Sequence, residues 1–219
     1  IGMMFFVLVF SLPIFASEDE AEEDKPSVCI SCHQELEGKA RAPVALWEKS
    51  IHKKMGNNCE GCHGGDPADP AMAMSPEKGF VGSPKPEETA KFCGKCHVGV
   101  VENYMKSPHY LASDHKGPDC VTCHHSHDVQ KASFDLIQPE LCGRCHDFEN
   151  AQKIKMAFVS SEMALKTEGE ALTYWSKRGM PVKRLEEKLF VLRNALHQMT
   201  HTLHIGDIEA ANNRVITEI

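Results

Sequence analysis

Apolar and polar positions divide the chain into three parts. Ile1 to Ala16 is apolar except for Gly2, Ser11 and Pro13. Residues 25 to 146 contain no long apolar run. From Asp147 onward apolar residues return at helical spacing. "ENAQKIKMAFVSSEMALKTEGEALTYWSKR" (Glu149 to Arg178) lacks proline and reads as one helix. "RGMP" (Arg178 to Pro181) breaks it, and "VKRLEEKLFVLRNALHQMTHTLHIGD" begins a second. In the second, Leu185, Leu189, Leu192, Leu196, Met199 and Leu203 form one stripe, with His197, His201 and His204 on a neighbouring one. The pattern predicts a C-terminal helical hairpin over 147–219, packed on whatever the middle of the chain builds.

That middle is short of core material. Aromatic residues make up only 7 % of the chain, and a region this poor in apolar runs is hard to stabilise by side chains alone. The composition supplies another candidate in its ten cysteines. All ten fall into Cys-x-x-Cys-His: Cys29, Cys32 and His33; Cys59, Cys62 and His63; Cys93, Cys96 and His97; Cys120, Cys123 and His124; Cys142, Cys145 and His146. A disulfide framework or structural zinc could also use paired cysteines, but neither requires histidine directly after the second one. Covalent attachment of c-type haem does. The two thiols add to the porphyrin vinyl groups and the next imidazole turns beneath the ring to the iron. Five covalently bound haem c groups are expected, numbered here 1 to 5 in chain order. The porphyrins then take the place of the missing core, so the expected fold is mainly α with much irregular loop. It is a multihaem cytochrome c module over 27–146 with the C-terminal hairpin added.

On these motifs the chain resembles the multihaem c-type cytochromes, in style the small periplasmic pentahaem and tetrahaem electron carriers. The motifs are highly specific for the cofactor and much less so for the pathway.

A longer pattern repeats within the module. "WEKSIH" (Trp47 to His52) precedes "CEGCH", followed later by "CGKCH"; "YMKSPH" (Tyr104 to His109) precedes "CVTCH", followed later by "CGRCH". This reads as a duplicated dihaem unit, 47–97 and 104–146. Ser-x-His ahead of a CxxCH resembles distal-ligand motifs of multihaem cytochromes, including the hydroxylamine-oxidising and octahaem groups, and marks His52 and His109 as distal ligands of neighbouring haems. In "CVTCHHSH", His127 resembles the extra ligand of a CxxCH-x-x-H arrangement, and His125 is its rival. The corresponding places in "CEGCHGGD" are Gly64 and Asp66, so that unit must find its ligand elsewhere.

Of the 13 histidines, eight lie outside the motifs: His52, His109, His115, His125, His127, His197, His201 and His204. That is enough for bis-histidine iron throughout. At least one distal ligand is expected from the C-terminal stripe, with His201 as the choice. Met72 and Met74, in the proline- and glycine-rich segment Gly64 to Pro86, read as loop residues.

The N-terminal apolar stretch, 1–16, is too short to span a bilayer and suits a secretory signal ending at Ala16, or a membrane anchor if more apolar chain precedes it. An acidic linker follows over 17–26, with six acids between Glu18 and Asp24. Without those six charges the net falls from −7 to −1, leaving no basic footprint for nucleic acid. The expected location is periplasmic or extracellular. The expected function is non-enzymatic electron transfer between a quinol-oxidising membrane cytochrome and a reductase or another multihaem cytochrome. Two other readings are kept: a reductase or oxidase of small nitrogen or sulfur compounds at one open haem, and a subunit of a cytochrome filament. No CxxCK occurs, so the lysine-ligated haem of the nitrite-reductase family is absent.

Overall fold

The computed structural model describes residues 27–112 and 117–218. The expected signal or anchor segment, the acidic linker and His115 lie outside the described residues. Among the described residues the structure is helical, without strands, and no helix is long and apolar enough to cross a membrane.

Among the described residues nine short helices carry the cysteine-rich region: α1 (Val28–Glu35), α2 (Ala42–Trp47), α3 (Ile51–Lys54), α4 (Cys59–His63), α5 (Thr89–Cys93), α6 (Val98–Tyr104), α7 (Pro108–Leu111), α8 (Cys120–His124) and α9 (Pro139–Cys142). None is longer than eight residues, so their positions depend on capping and on loop hydrogen bonds rather than on helix propensity. Side chains buried there are few: Val44, Trp47, Ser50, Thr89, Ala90 and Ser107. Two of these, Ser50 and Ser107, are fully buried hydroxyls, an unusual core for a region of this length.

The C-terminal part makes its own core. Three long helices, α10 (Glu149–Ser176), α11 (Lys183–Met199) and α12 (Ile205–Glu218), pack on one another. Ala151, Ile154, Phe158, Ser161, Leu165 and Leu172 face inward from α10 at spacings of three, four and seven residues. Leu189, Leu192 and Leu196 meet them from α11, and Ile208 and Val215 from α12. Polar contacts join α10 to α12 beside this core, where Ser160 and the buried Ser161 donate to Asn212 Oδ1 at 2.7 and 2.8 Å. Phe134, from the cysteine-rich region, stacks flat on Phe158 at 4.9 Å and seats the bundle on the module.

The expected hairpin is thus a three-helix arrangement, and the second helix is shorter than its leucine pattern suggested. The helix ends at Met199 because Thr200 and Thr202 turn their hydroxyls back onto the His197 and Met199 carbonyls. Leu203 then takes a positive φ of 54° and α12 starts afresh. His197, His201 and His204 therefore do not share one helical face: only His197 lies in α11. Leu185, at the other end of the stripe, is 54 % exposed.

Candidate haem-binding site

Each cysteine motif folds as a helical turn. The first, second and fourth lie wholly in α1, α4 and α8, while the third and fifth begin at the last residue of α5 and α9 and continue as turns. Local caps hold them. Ser27 Oγ accepts from Cys29 N at 3.3 Å, and Asp119 Oδ1 accepts from Thr122 N at 2.9 Å. The glycine of CGKCH and CGRCH has a steric reason. A Cβ at Gly94 would stand 2.8 Å from the Ala90 carbonyl oxygen, and one at Gly143 would stand 2.5 Å from that of Pro139.

The duplicated pattern recurs in three dimensions. Ser50 and Ser107 are the N-caps of α3 and α7, accepting from Lys53 N at 3.1 Å and Tyr110 N at 3.2 Å. Each sets its histidine, His52 or His109, at the second helical position. The aromatic residue of each copy also has the same task. Trp47 Nε1 donates to the Asn57 carbonyl at 2.9 Å and Tyr104 Oη to the Pro118 carbonyl at 3.0 Å, each acceptor two residues ahead of the next motif's first cysteine. Even the residues that close α4 and α8 match: Gly64 has φ 69° and ψ −156°, His125 φ 62° and ψ −174°.

Among the described residues four non-motif imidazoles stand opposite motif imidazoles. His127 faces His63 with ring centroids 6.1 Å apart, His52 faces His97 at 6.1 Å, His201 faces His124 at 6.1 Å, and His109 faces His146 at 6.3 Å. Two imidazoles sharing one ion through metal–nitrogen bonds of about 2 Å have centroids about 6 Å apart. The facing pairs have that separation. In three motifs the other ring nitrogen is engaged. Nδ1 of His33, His63 and His146 lies 2.7, 3.1 and 3.0 Å from the carbonyls of Ala40, Val81 and Asp147. A carbonyl can only accept, so Nδ1 carries the proton and Nε2 keeps its lone pair for a metal. Burial, and then the facing imidazole, holds His52, His109, His127 and His201 below the ordinary histidine range. His124 is lowered by burial and then by His97. Neutral imidazole is the form that binds iron.

One continuous cavity of about 2770 Å³ adjoins all of this, lined by all ten cysteines, the five motif histidines and the four that face them. No disulfide joins the cysteines. Among the described residues no three His, Cys, Asp or Glu side chains gather as a zinc site requires. Thiol pairs spread along an apolar cavity, with imidazoles on its walls, fit flat apolar macrocycles and not compact ions.

The remaining described candidates are exposed: His125, which caps α8, His197 and Met74 (63 % exposed) line the same cavity, and His204 is outside its lining.

The cytochrome c3 family profile matches residues 51–147. A C-type polyheme cytochrome, OmcC of Geobacter sulfurreducens (strain ATCC 51573 / DSM 12127 / PCA), is 25 % identical over 127 residues, 57 % of this chain and 15 % of that protein. Both findings support a multihaem c-type cytochrome. The chain spans about 15 % of the length of this curated relative. No solved structure matches. The family match begins at Ile51, beside His52, and ends at Asp147, just past His146. It therefore spans motifs 2 to 5 and leaves out motif 1 and the C-terminal bundle.

Proposed function

We propose that the chain is a pentahaem electron carrier in which haem c is attached at all five motifs. Each motif histidine is the proximal ligand. His127 is the distal ligand of haem 2, His52 of haem 3, His201 of haem 4 and His109 of haem 5. The observation that carries this reading is the set of four facing imidazole pairs at 6.1–6.3 Å. Bound haem supplies one-electron chemistry, and two histidines on its iron leave that iron no position for a substrate.

What the protein contributes is placement. The caps Ser50 and Ser107 hold His52 and His109, and the Ala40, Val81 and Asp147 carbonyls orient His33, His63 and His146. The pairing lies within one chain, which favours a carrier over a filament subunit that borrows ligands from its neighbours. Export to the periplasm or beyond, a quinol-oxidising membrane cytochrome as donor, and a reductase or another multihaem cytochrome as acceptor complete the proposal. They rest on the covalent haem motifs and the likeness to a polyheme cytochrome.

The test is the intact holoprotein. Mass spectrometry should count five covalent haems, and low-temperature EPR of the oxidised form should be dominated by low-spin iron. Strong high-spin signals with fast binding of nitrite or CO would replace the carrier with the reductase or oxidase reading.

A further inference from the structure

We infer that the five haem sites form one row whose nearest-neighbour order is the order of the motifs, 1-2-3-4-5, with sites 1 and 5 at its ends. The inference rests on the pentahaem reading and goes beyond it, because motif order along a chain does not itself dictate order in space.

Each link has its own contact. Sites 1 and 2 are joined where Val28 N, next to Cys29, donates to the Pro67 carbonyl at 2.9 Å, in the loop that follows His63. Sites 2 and 3 meet through Lys95 Nζ, within motif 3, which donates to the Cys62 carbonyl at 3.4 Å. Phe92, next to Cys93, also lies 5.3 Å from the His63 ring. Sites 3 and 4 meet where α5 packs on α8, the helices that carry Cys93 and Cys120. Sites 4 and 5 are tied by the segment from the end of α6 to α7. Tyr104 holds the Pro118 carbonyl just ahead of Cys120, while His109 reaches the ring of His146.

Contacts that run against strict succession join the segment after motif 4 to the surroundings of motif 2: His127 faces His63, and Ile51 N donates to the Val129 carbonyl at 2.8 Å. They make site 4 the rival to site 3 as the neighbour of site 2, and so define the test. Anomalous diffraction at the iron edge from crystals of the holoprotein gives all iron–iron distances without any activity measurement. The expected result is five irons in which each consecutive pair is closer than any non-consecutive pair. Five irons with iron 2 closer to iron 4 than to iron 3, or with any other non-consecutive pair closest, overturns the order and leaves the pentahaem reading standing. Fewer than five irons overturns the pentahaem reading, and the order falls with it.

Discussion

The rings of His63 and His127 are nearly parallel, tilted by 15°, with centroids 6.1 Å apart. His63 is fixed by the Val81 carbonyl at its Nδ1, and His127 adjoins the turn that ends α8. The pair separates two nearby candidates: His127 faces the His63 ring, whereas His125 lines the same cavity as the exposed cap of α8. Replacing His127 with alanine should convert one haem to high-spin iron, read by EPR. His125→Ala should leave the spectrum unchanged. High-spin iron from the His125 variant alone would reverse the assignment.

His125 carries a separate expectation. Its φ of 62° with ψ −174° belongs to backbone that is nearly reserved for glycine and costs about 1–3 kcal/mol elsewhere. The equivalent residue of the first unit is Gly64, where a Cβ would meet the Gly79 carbonyl. After the entropy lost by an added glycine, His125→Gly should stabilise the holoprotein by about 1 kcal/mol in denaturant titration. A destabilised variant would mean that the side chain contributes a contact worth more than the strain.

Much of this site was legible in the sequence, and the reason is chemical. Covalent haem attachment demands Cys-x-x-Cys-His, so the ten cysteines and the five histidines that follow them stand out as candidates in the sequence. The Ser-x-His repeat pointed to His52 and His109 through its likeness to distal-ligand motifs, and the structure adds a physical reason for the serine, which caps the helix that carries each histidine. The roles of Trp47 and Tyr104 were not legible, because their acceptors are backbone carbonyls that no side-chain pattern encodes. Nor was the break after Met199. Leucine spacing continues through Leu203, and what ends the helix is a pair of threonine hydroxyls competing for its last carbonyls.

Ser50 is fully buried, accepts from Lys53 N and donates to the Trp47 carbonyl at 2.7 Å. Ser50→Ala removes the cap and leaves that carbonyl without this donor, a loss of about 1–2 kcal/mol. Because α3 carries His52, the variant should also broaden the low-spin EPR signal of haem 3. An undiminished denaturation midpoint would show that the cap does not hold the helix.

The loop beside His63 should respond to acid. The Asp66 carboxylate accepts from Ala68 N at 3.0 Å and pairs with Lys78 Nζ at 3.2 Å, and these contacts, the first foremost, hold its pKa below the usual carboxylate range. A carboxyl depressed by folding stabilises the fold above its unfolded value of about 3.9 and loses that contribution as pH falls through the folded value. Gly65 N bonds the Lys78 carbonyl and Val81 N the His63 carbonyl, so the same loop steadies His63. Amide exchange at Ala68 and Val81, relative to unstructured peptides at the same pH, should therefore accelerate on acidification below about pH 4. Asp66→Asn should show faster exchange already at neutral pH and little further change with acid. Identical pH profiles for both proteins would remove Asp66 from the account.

His201 bears on why the bundle is there at all. It lies just beyond α11, 6.1 Å from the His124 ring, with its Nδ1 3.0 Å from Thr200 Oγ1. His197 and His204, its neighbours in the sequence, are exposed and face no motif histidine among the described residues. The break after Met199 is what aims the ring: in a continuous helix His201 would lie on the same face as His197. His201→Ala should keep five covalent haems by mass yet open one iron. That iron should become high-spin when oxidised, bind CO when reduced, and shift in potential while the other four stay put. His197→Ala and His204→Ala should do none of this. The Phe134–Phe158 stack and the bundle core do not involve the imidazole, so the His201 variant should keep its helical content by circular dichroism. If all three variants remain low-spin with unchanged potentials, the bundle serves docking or assembly and His124 takes its partner from elsewhere.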